Sequence, residues 1–211
     1  LSSVRQAALH PDVKILNCSL NTSYPSVRTY YPRLYGAKFI KGAIAGTLTR
    51  DGCIGYVADY PTYGSIASIN AFAQGARMVN ANARIYLDWA HLRDGGAVGR
   101  LQAQGIVYID YLDRLAASTG TQMGNRHNLA LIQTHWGRLY QSLVRRVMEG
   151  SWKQEDQGSS AVNYWWGMEQ GVVSVLCSRR LPTGPRRLAG VLREALKADR
   201  LDPFYGVLMD Q

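Results

Sequence analysis

The segment from Tyr30 to Asn82 constrains the fold more than any other part of the chain. Apolar residues at helical spacing predict a helix over Tyr30–Thr47, which ends at the polar break Thr49–Gly52. The next apolar run, Cys53–Ala58, is too short for a helix and is bounded by turn residues, which predicts a buried strand. Asp59–Gly64 is then predicted to be a loop, because Pro and Gly in it favour a turn.

A second helix follows this loop, with Ser65 as its predicted N-cap and Ile69 and Phe72 on its apolar face. Helix, strand, loop and helix in this order are typical of an α/β layer fold. Ligands in such folds bind at the loops that leave the carboxyl ends of the strands. Asp59–Gly64 is therefore the first candidate for a ligand-binding loop.

The same alternation continues further along the chain. Ala83–Trp89 and Ile106–Leu112 are predicted strands, and a short helix is predicted between them at Ala97–Gln104. Short connections between such elements indicate a parallel sheet with right-handed crossovers, so Cys53–Leu112 is predicted to form the core of one α/β unit. Leu115–Asn128 is polar and rich in glycine, and we expect it to be a loop.

The last third of the chain is predicted to contain two helices and three short strands. Trp136 opens a helix with clean amphipathic spacing, and Pro185 opens the final helix. Apolar runs predict the strands at Leu129–Thr134, Ala161–Trp165 and Val172–Cys177.

Composition excludes several functional classes. The net charge is +9, but the basic residues are scattered and do not alternate with aromatic residues, so no nucleic-acid partner is predicted. A basic surface also suits a protein that is held near an anionic membrane. Cys18, Cys53 and Cys177 are isolated in apolar runs, which predicts buried free thiols rather than a disulfide framework or a metal site.

The common signatures of an enzyme are missing from the sequence. There is no nucleophile elbow, no phosphate-binding loop and no dinucleotide fingerprint. The four histidines lack metal-ligand spacing, so no metal and no cofactor are predicted. Asp110 and Asp113 would point to opposite faces of a strand unless a turn brings them together, which leaves an acid–base pair as an alternative.

A solute-binding site requires less: a cleft, aromatic faces and a few fixed hydrogen-bonding groups. Tyr and Trp rings stack on flat ligands, and a carboxylate accepts hydrogen bonds from sugar hydroxyls. Helical periodicity also allows Trp136 to lie on the buried face of its helix. The candidate ligand-binding residues, all near strand ends or loop starts, are Tyr60, Tyr63, Trp89, Asp110, Asp113 and Trp136.

Short motifs in a fixed order cover the chain from about Pro11 onward. They are YGAKFI-x-G-x-IAG, IGYVA-x-YP, INAF-x-x-GAR-x-VN, HWGRLY, GSWK, YWWGMEQGV and DPFYG. The ordered set resembles the basic membrane protein family, which comprises substrate-binding lipoproteins of ABC transporters and is related to the purine nucleoside receptors. In this resemblance, Asp113 corresponds to the acidic residue on the ribose side of the ligand.

The resemblance implies an α/β fold of the type I periplasmic-binding-protein kind, with a parallel sheet and flanking helices. Family members usually have more chain before the position of Leu1, so the first lobe is expected to be incomplete. Residues 1–48 would then hold the end of the first lobe and a hinge helix, residues 49–134 the second α/β lobe, and residues 135–211 the helices and strands that complete the lobes and hinge.

The function that the resemblance implies is capture of a small polar solute between two lobes, with a nucleoside as the leading candidate. An ABC permease would receive the loaded protein. The location would be extracytoplasmic, either periplasmic or held at the membrane by a lipid anchor outside this chain. Two alternatives remain: a ligand-sensing module of the same fold that controls transcription or signalling, and an enzyme that acts on nucleosides or sugars.

Overall fold

The computed structural model describes residues 2–19, 27–91, 96–112, 114–118, 126–152 and 162–205. Helices and strands alternate along most of the chain. In chain order they are α1 (Ser2–Leu9), β1 (Leu16–Cys18), β2 (Arg28–Pro32), α2 (Tyr35–Leu48), β3 (Cys53–Ala58), α3 (Tyr63–Val79), β4 (Arg84–Trp89), α4 (Ala97–Ala103), β5 (Tyr108–Tyr111), β6 (Arg114–Ser118), β7 (Arg126–Thr134), α5 (Trp136–Met148), β8 (Asn163–Trp166), β9 (Val173–Cys177) and α6 (Thr183–Lys197).

The strands form two sheets. The smaller sheet has the order β1-β2-β8 and is parallel throughout. The larger sheet has the order β4-β3-β5-β6-β7-β9; its first three strands are parallel and the rest pair antiparallel. The expected α/β fold with parallel strands and flanking helices is confirmed, and the larger sheet is more mixed than the sequence indicated. No helix in the described part of the chain is both long and apolar enough to cross a membrane.

The parallel strands of the larger sheet end at one common edge. Ala58 of β3 is paired with Trp89 of β4, and Val57 of β3 with Tyr111 of β5. The residues that follow these strands, among them Asp59 and Leu112, therefore emerge side by side. This edge positions the candidate site.

Helix α2 lies at the centre of the core and packs against both α3 and α6. Its contact with α3 depends on glycine: a Cβ atom at Gly42 would lie 2.0 Å from the Phe72 carbonyl oxygen, and one at Gly75 2.0 Å from that of Phe39. The two helix backbones thus touch directly. The Gly42-x-x-x-Gly46 spacing in α2 indicates such a close approach, and the structure confirms it.

The predicted helix Tyr30–Thr47 is wrong in its first part, because Arg28–Pro32 is strand β2. A residue that precedes proline is pushed toward extended backbone, and Tyr31 pairs with Trp165 of β8 as a strand residue does. The N-cap of α3 is Thr62 rather than Ser65, whose hydroxyl instead hydrogen-bonds the Thr62 hydroxyl inside the first turn.

The predicted loop Leu115–Asn128 is also wrong, because β6 and the start of β7 fall within it. Alanine is depleted in strands, but pairing of β6 with β5 on one side and β7 on the other overrides that preference. The three cysteines are free thiols, as predicted. None of them is buried: Cys18 is exposed, and Cys53 and Cys177 are partly exposed.

Candidate ligand-binding cleft

A cavity of about 280 Å³ lies where the common edge of the larger sheet meets the smaller sheet. Both sheets and two helices contribute to its wall. The residues that line it are Tyr31, Pro32, Leu34, Tyr35, Lys38, Tyr56, Val57, Ala58, Asp59, Gly64, Ser65, Ser68, Leu112 and Trp165. Its size is near the lower end of the range for clefts that bind small molecules.

One wall of the cavity is aromatic. The rings of Tyr35 and Trp165 meet edge to face with centroids 5.8 Å apart, and Trp165 remains 43% exposed. Burial raises the pKa of the Tyr35 hydroxyl, although the nearby Arg33 guanidinium opposes the shift. The hydroxyl therefore stays protonated at neutral pH and can donate a hydrogen bond, while the rings offer flat faces for stacking.

Another part of the cavity wall is polar and is formed by the first turns of α3. Gly64, Ser65 and Ser68 line it, and the N-cap Thr62 makes no side-chain capping bond. Amide N–H groups at a helix N-terminus are available to acceptor atoms. Ser68 is only 6% exposed, and it lines the cavity. This wall therefore offers hydrogen-bonding groups to a ligand.

Beneath the cavity, a carboxylate lies between two ammonium groups. Asp110 of β5 is fully buried; its Oδ2 is 2.6 Å from Lys38 Nζ and its Oδ1 is 2.6 Å from Lys41 Nζ. Lys38 also donates to the Leu112 carbonyl oxygen and lies 5.0 Å from the centroid of the Tyr56 ring. Asp110 was expected to contact the ligand, but its carboxylate is engaged by α2 instead and does not line the cavity.

Two of the aromatic candidates lie at the common sheet edge but outside the cavity wall. Tyr60 is exposed and stacks on His91, with ring centroids 4.4 Å apart and planes 18° from parallel. Trp89 meets His91 edge to face at 5.9 Å. Tyr63 is the first residue of α3, but its side chain lies outside the described part of the chain, as does the whole of Asp113.

Trp136 belongs neither to the cavity wall nor to the buried core. Its ring stacks on Tyr140 at 6.1 Å and meets Tyr30 edge to face at 6.4 Å, and the residue is 38% exposed. Leu139 and Leu143 are the residues through which α5 enters the core. The helix is as predicted, but Trp136 at its start is partly exposed, and burial begins at Leu139, about one turn further along.

Sequence reasoning missed most of the cavity wall. Tyr31 and Tyr35 were assigned to a helix, so the strand end between them was not recognised; the proline after Tyr31 was the available signal. Trp165 lies on a predicted strand, but nothing local links that strand to the cavity. Among the described residues, no group of three or more His, Cys, Asp and Glu side chains is placed to hold a metal ion.

The fold is the one found in solute-binding proteins of ABC transporters. The solute-binding protein of Conexibacter woesei superposes with a TM-score of 0.63 at 14% identity, covering 95% of this chain and 74% of its own. A Bacillus halodurans protein, described as a transcriptional activator of the comK gene, superposes with a TM-score of 0.69 at 15% identity, covering 96% and 77%. At these identities the likeness shows the fold alone.

Two relatives are similar in sequence. A purine-binding protein of Brucella abortus is 25% identical over 230 residues, which include 99% of this chain and 64% of the relative. A Haloferax volcanii protein, named as an ABC transporter glucose-binding protein, is 26% identical over 184 residues, or 77% of this chain and 45% of the relative. The chain thus spans less than two thirds of the length of either. No family model matches it, and membership in the basic membrane protein family stays a prediction.

Proposed function

We propose that the protein is the solute-binding component of an ABC transporter and that it captures a purine or a purine nucleoside in the cavity between its two sheets. The proposal rests on one observation: the Tyr35 and Trp165 rings and the polar first turns of α3 line the same cavity. A flat heterocycle would stack on the rings, and its ring nitrogens and hydroxyls would hydrogen-bond the polar groups of α3.

Asp59 completes this assignment. It lies at the carboxyl end of β3, lines the cavity and is exposed, so its carboxylate can accept hydrogen bonds from the hydroxyls of a ribose. The expected role of an acidic side chain at the sugar thus has a candidate in the described part of the chain. The purine-binding relative supports the choice of ligand, and the glucose-binding name of the second relative makes a sugar the alternative.

Transport and sensing would use the same binding step. Ligand contacts shift an equilibrium between open and closed arrangements, and no bond in the ligand is made or broken. Because the same fold occurs in a protein described as a transcriptional activator, the fold alone does not choose between the two roles. We assign transport on the sequence relatives, with an extracytoplasmic location, a lipid anchor outside this chain and a permease partner as parts of the same proposal.

The ligand can be tested by thermal unfolding with adenine, adenosine, guanosine, uridine and glucose. A ligand at one hundred times its Kd stabilises the folded state by about 2.7 kcal/mol, which for a chain of this size is a rise in Tm of roughly 5–10 °C. We expect this rise with the purines and purine nucleosides and recovery of the ligand unchanged by chromatography. A rise with glucose alone would overturn the purine assignment, and conversion of a nucleoside to products would favour an enzyme.

Two tryptophans of similar exposure give a matched pair of variants. Trp165→Ala should weaken purine binding by about tenfold, because stacking on an aromatic side chain contributes on the order of 1–3 kcal/mol per base. Trp136→Ala removes an equally exposed indole that does not line the cavity, and its Kd should equal that of the wild type. Calorimetric titration of the wild type and the two variants with adenosine measures the three Kd values. A loss confined to Trp136→Ala would place the ligand at α5 instead.

A further inference from the structure

Leu112 adopts a backbone conformation that leucine rarely takes. Its φ angle is 50°, in the left-handed region, at the tight turn that joins β5 to β6. Glycine or asparagine is the usual residue at such a position, because a branched side chain there crowds the backbone. Leucine at this position needs a reason other than the turn itself.

Packing in the core does not supply that reason. The residue is 49% exposed and belongs to neither core cluster, so about half of its surface stays in contact with water. Leu112 is, however, one of the residues that line the cavity, as are Gly64, Ser65 and Ser68 of α3. The strained residue therefore lies at the wall of the candidate ligand site.

The protein also holds this residue firmly in position. The Leu112 carbonyl oxygen accepts a hydrogen bond from Lys38, and the same ammonium group is anchored by the buried Asp110 carboxylate. Strained backbone is found at ligand clamps when the surrounding structure fixes it in this way. A mobile surface turn would have no such support.

We propose that Leu112 is a specificity-determining residue whose side chain packs against the flat ring of the bound solute. The inference rests on the proposed binding function and extends it by naming the apolar contact that the ring requires. A ligand without a flat or apolar face would gain nothing from this side chain. The strain at Leu112 is then the cost of presenting an apolar group at a turn that glycine would form more easily.

The test compares the unfolding temperature and the Kd for adenosine in the wild type and in Leu112→Gly. Removing the strain should raise Tm by a few degrees, while loss of the apolar contact should weaken adenosine binding about tenfold. Leu112→Met keeps an apolar side chain and should retain the wild-type Kd within about threefold. The proposed role thus predicts that Leu112→Gly raises Tm and weakens adenosine binding at the same time.

Leu176 provides the matched control. It is a leucine of similar exposure, 47% against 49% for Leu112, and it lies on β9 outside the wall of this cavity. Leu176→Gly should leave the adenosine Kd unchanged. A Leu112→Gly variant that binds adenosine as tightly as the wild type, or one with a lower Tm, would overturn the proposal.

A failure of the proposed ligand assignment can be told apart from a failure of the role proposed for Leu112. If the wild type binds glucose and no purine, the ligand assignment fails. An equal Kd for glucose in the wild type and Leu112→Gly would then overturn the role of Leu112, and a tenfold loss would support it with the apolar face of a sugar ring as the contact. If the wild type binds none of the five compounds used above, both the ligand assignment and the role of Leu112 are overturned.

Discussion

Buried cations lie beside both sheets, and the arginine of one and the lysines of the other are stabilised in different ways. Arg28 of the smaller sheet places its guanidinium 3.6 Å from the centroid of the Trp152 ring and donates to the Trp152 carbonyl oxygen and the Tyr164 hydroxyl. Lys38 and Lys41 of α2, next to the larger sheet, instead share the Asp110 carboxylate. The first cluster uses rings and neutral oxygens, and the second uses an opposite charge.

The difference follows from the chemistry of the two cations. A guanidinium is flat, weakly hydrated and delocalised, so it can be buried on an aromatic face with hydrogen bonds around its edge. An ammonium is a compact, strongly hydrated charge, and it is costly to bury without a counter-ion. The arginine cluster thus depends on several weak contacts, whereas the lysine cluster depends on one carboxylate that also lies beneath the cavity.

The largest effect is therefore expected when that carboxylate is neutralised. Asp110→Asn leaves two buried ammonium groups without their shared counter-ion and should lower the free energy of unfolding by about 3–5 kcal/mol. Denaturation in urea, followed by circular dichroism, measures the change. The Asp110→Asn substitution should also weaken ligand binding, because Lys38 lines the cavity and donates a hydrogen bond to the Leu112 carbonyl oxygen.

Asp88 is the matched control for this variant. It pairs with Arg100 at 2.8 Å, but both side chains are partly exposed. Asp88→Asn should therefore cost no more than about 1 kcal/mol. Equal losses in the two variants would mean that burial does not set the strength of the Lys38–Asp110–Lys41 cluster.

The elements that could be predicted from sequence are those whose signals are local. Cys53–Ala58 and Arg84–Trp89 are strands because each is a short run with turn residues on both sides, and the helix at Trp136 has its own 3.6-residue period. Strand β6 could not be recognised in this way. Its residues have weak strand propensity, and only the neighbouring strands β5 and β7 make it part of a sheet.

The site was harder to predict, because its residues come from segments far apart in sequence. The loop after β3 was identified, and Asp59 of that loop lines the cavity, as does Gly64 at the start of α3. Within that loop, nothing in the sequence indicates that the Tyr60 ring stacks on His91. The burial of Asp110 did have a signal: Lys38 and Lys41 interrupt an apolar helix one turn apart, and buried lysines require an acidic partner.

A substitution of Arg28 tests how the cation of the smaller sheet is stabilised. Arg28→Lys keeps the charge but loses the flat stacking surface and the fork of donors, so we expect a loss of about 2 kcal/mol in the free energy of unfolding. Arg146, whose guanidinium lies 5.5 Å from the Tyr164 ring and is less buried, is the control. Arg146→Lys should cost well under about 1 kcal/mol. A stable Arg28→Lys protein would show that charge rather than shape stabilises the smaller sheet.

The smallest effect is expected at Tyr30 of β2, whose ring meets the rings of Trp136 and Tyr140 edge to face. A side-chain hydrogen bond with Tyr140, together with burial, raises the pKa of Tyr30 from 10.0 to about 12. Between these two values the folded protein keeps a proton that the unfolded chain releases, so stability should be fully present below about pH 10 and should fall as the pH rises toward 12.

Tyr140→Phe removes the hydrogen bond and should lower the pKa of Tyr30, which an ultraviolet titration of tyrosinate can follow. Tyr205→Phe, at a residue that is almost wholly exposed, controls for the removal of one tyrosine hydroxyl. If the alkaline midpoint of Tyr30 is the same in both variants, the hydrogen bond with Tyr140 is not the cause of the shift. Burial alone would then account for it, and the aromatic side chains near the smaller sheet would act through exclusion of water rather than through specific bonds.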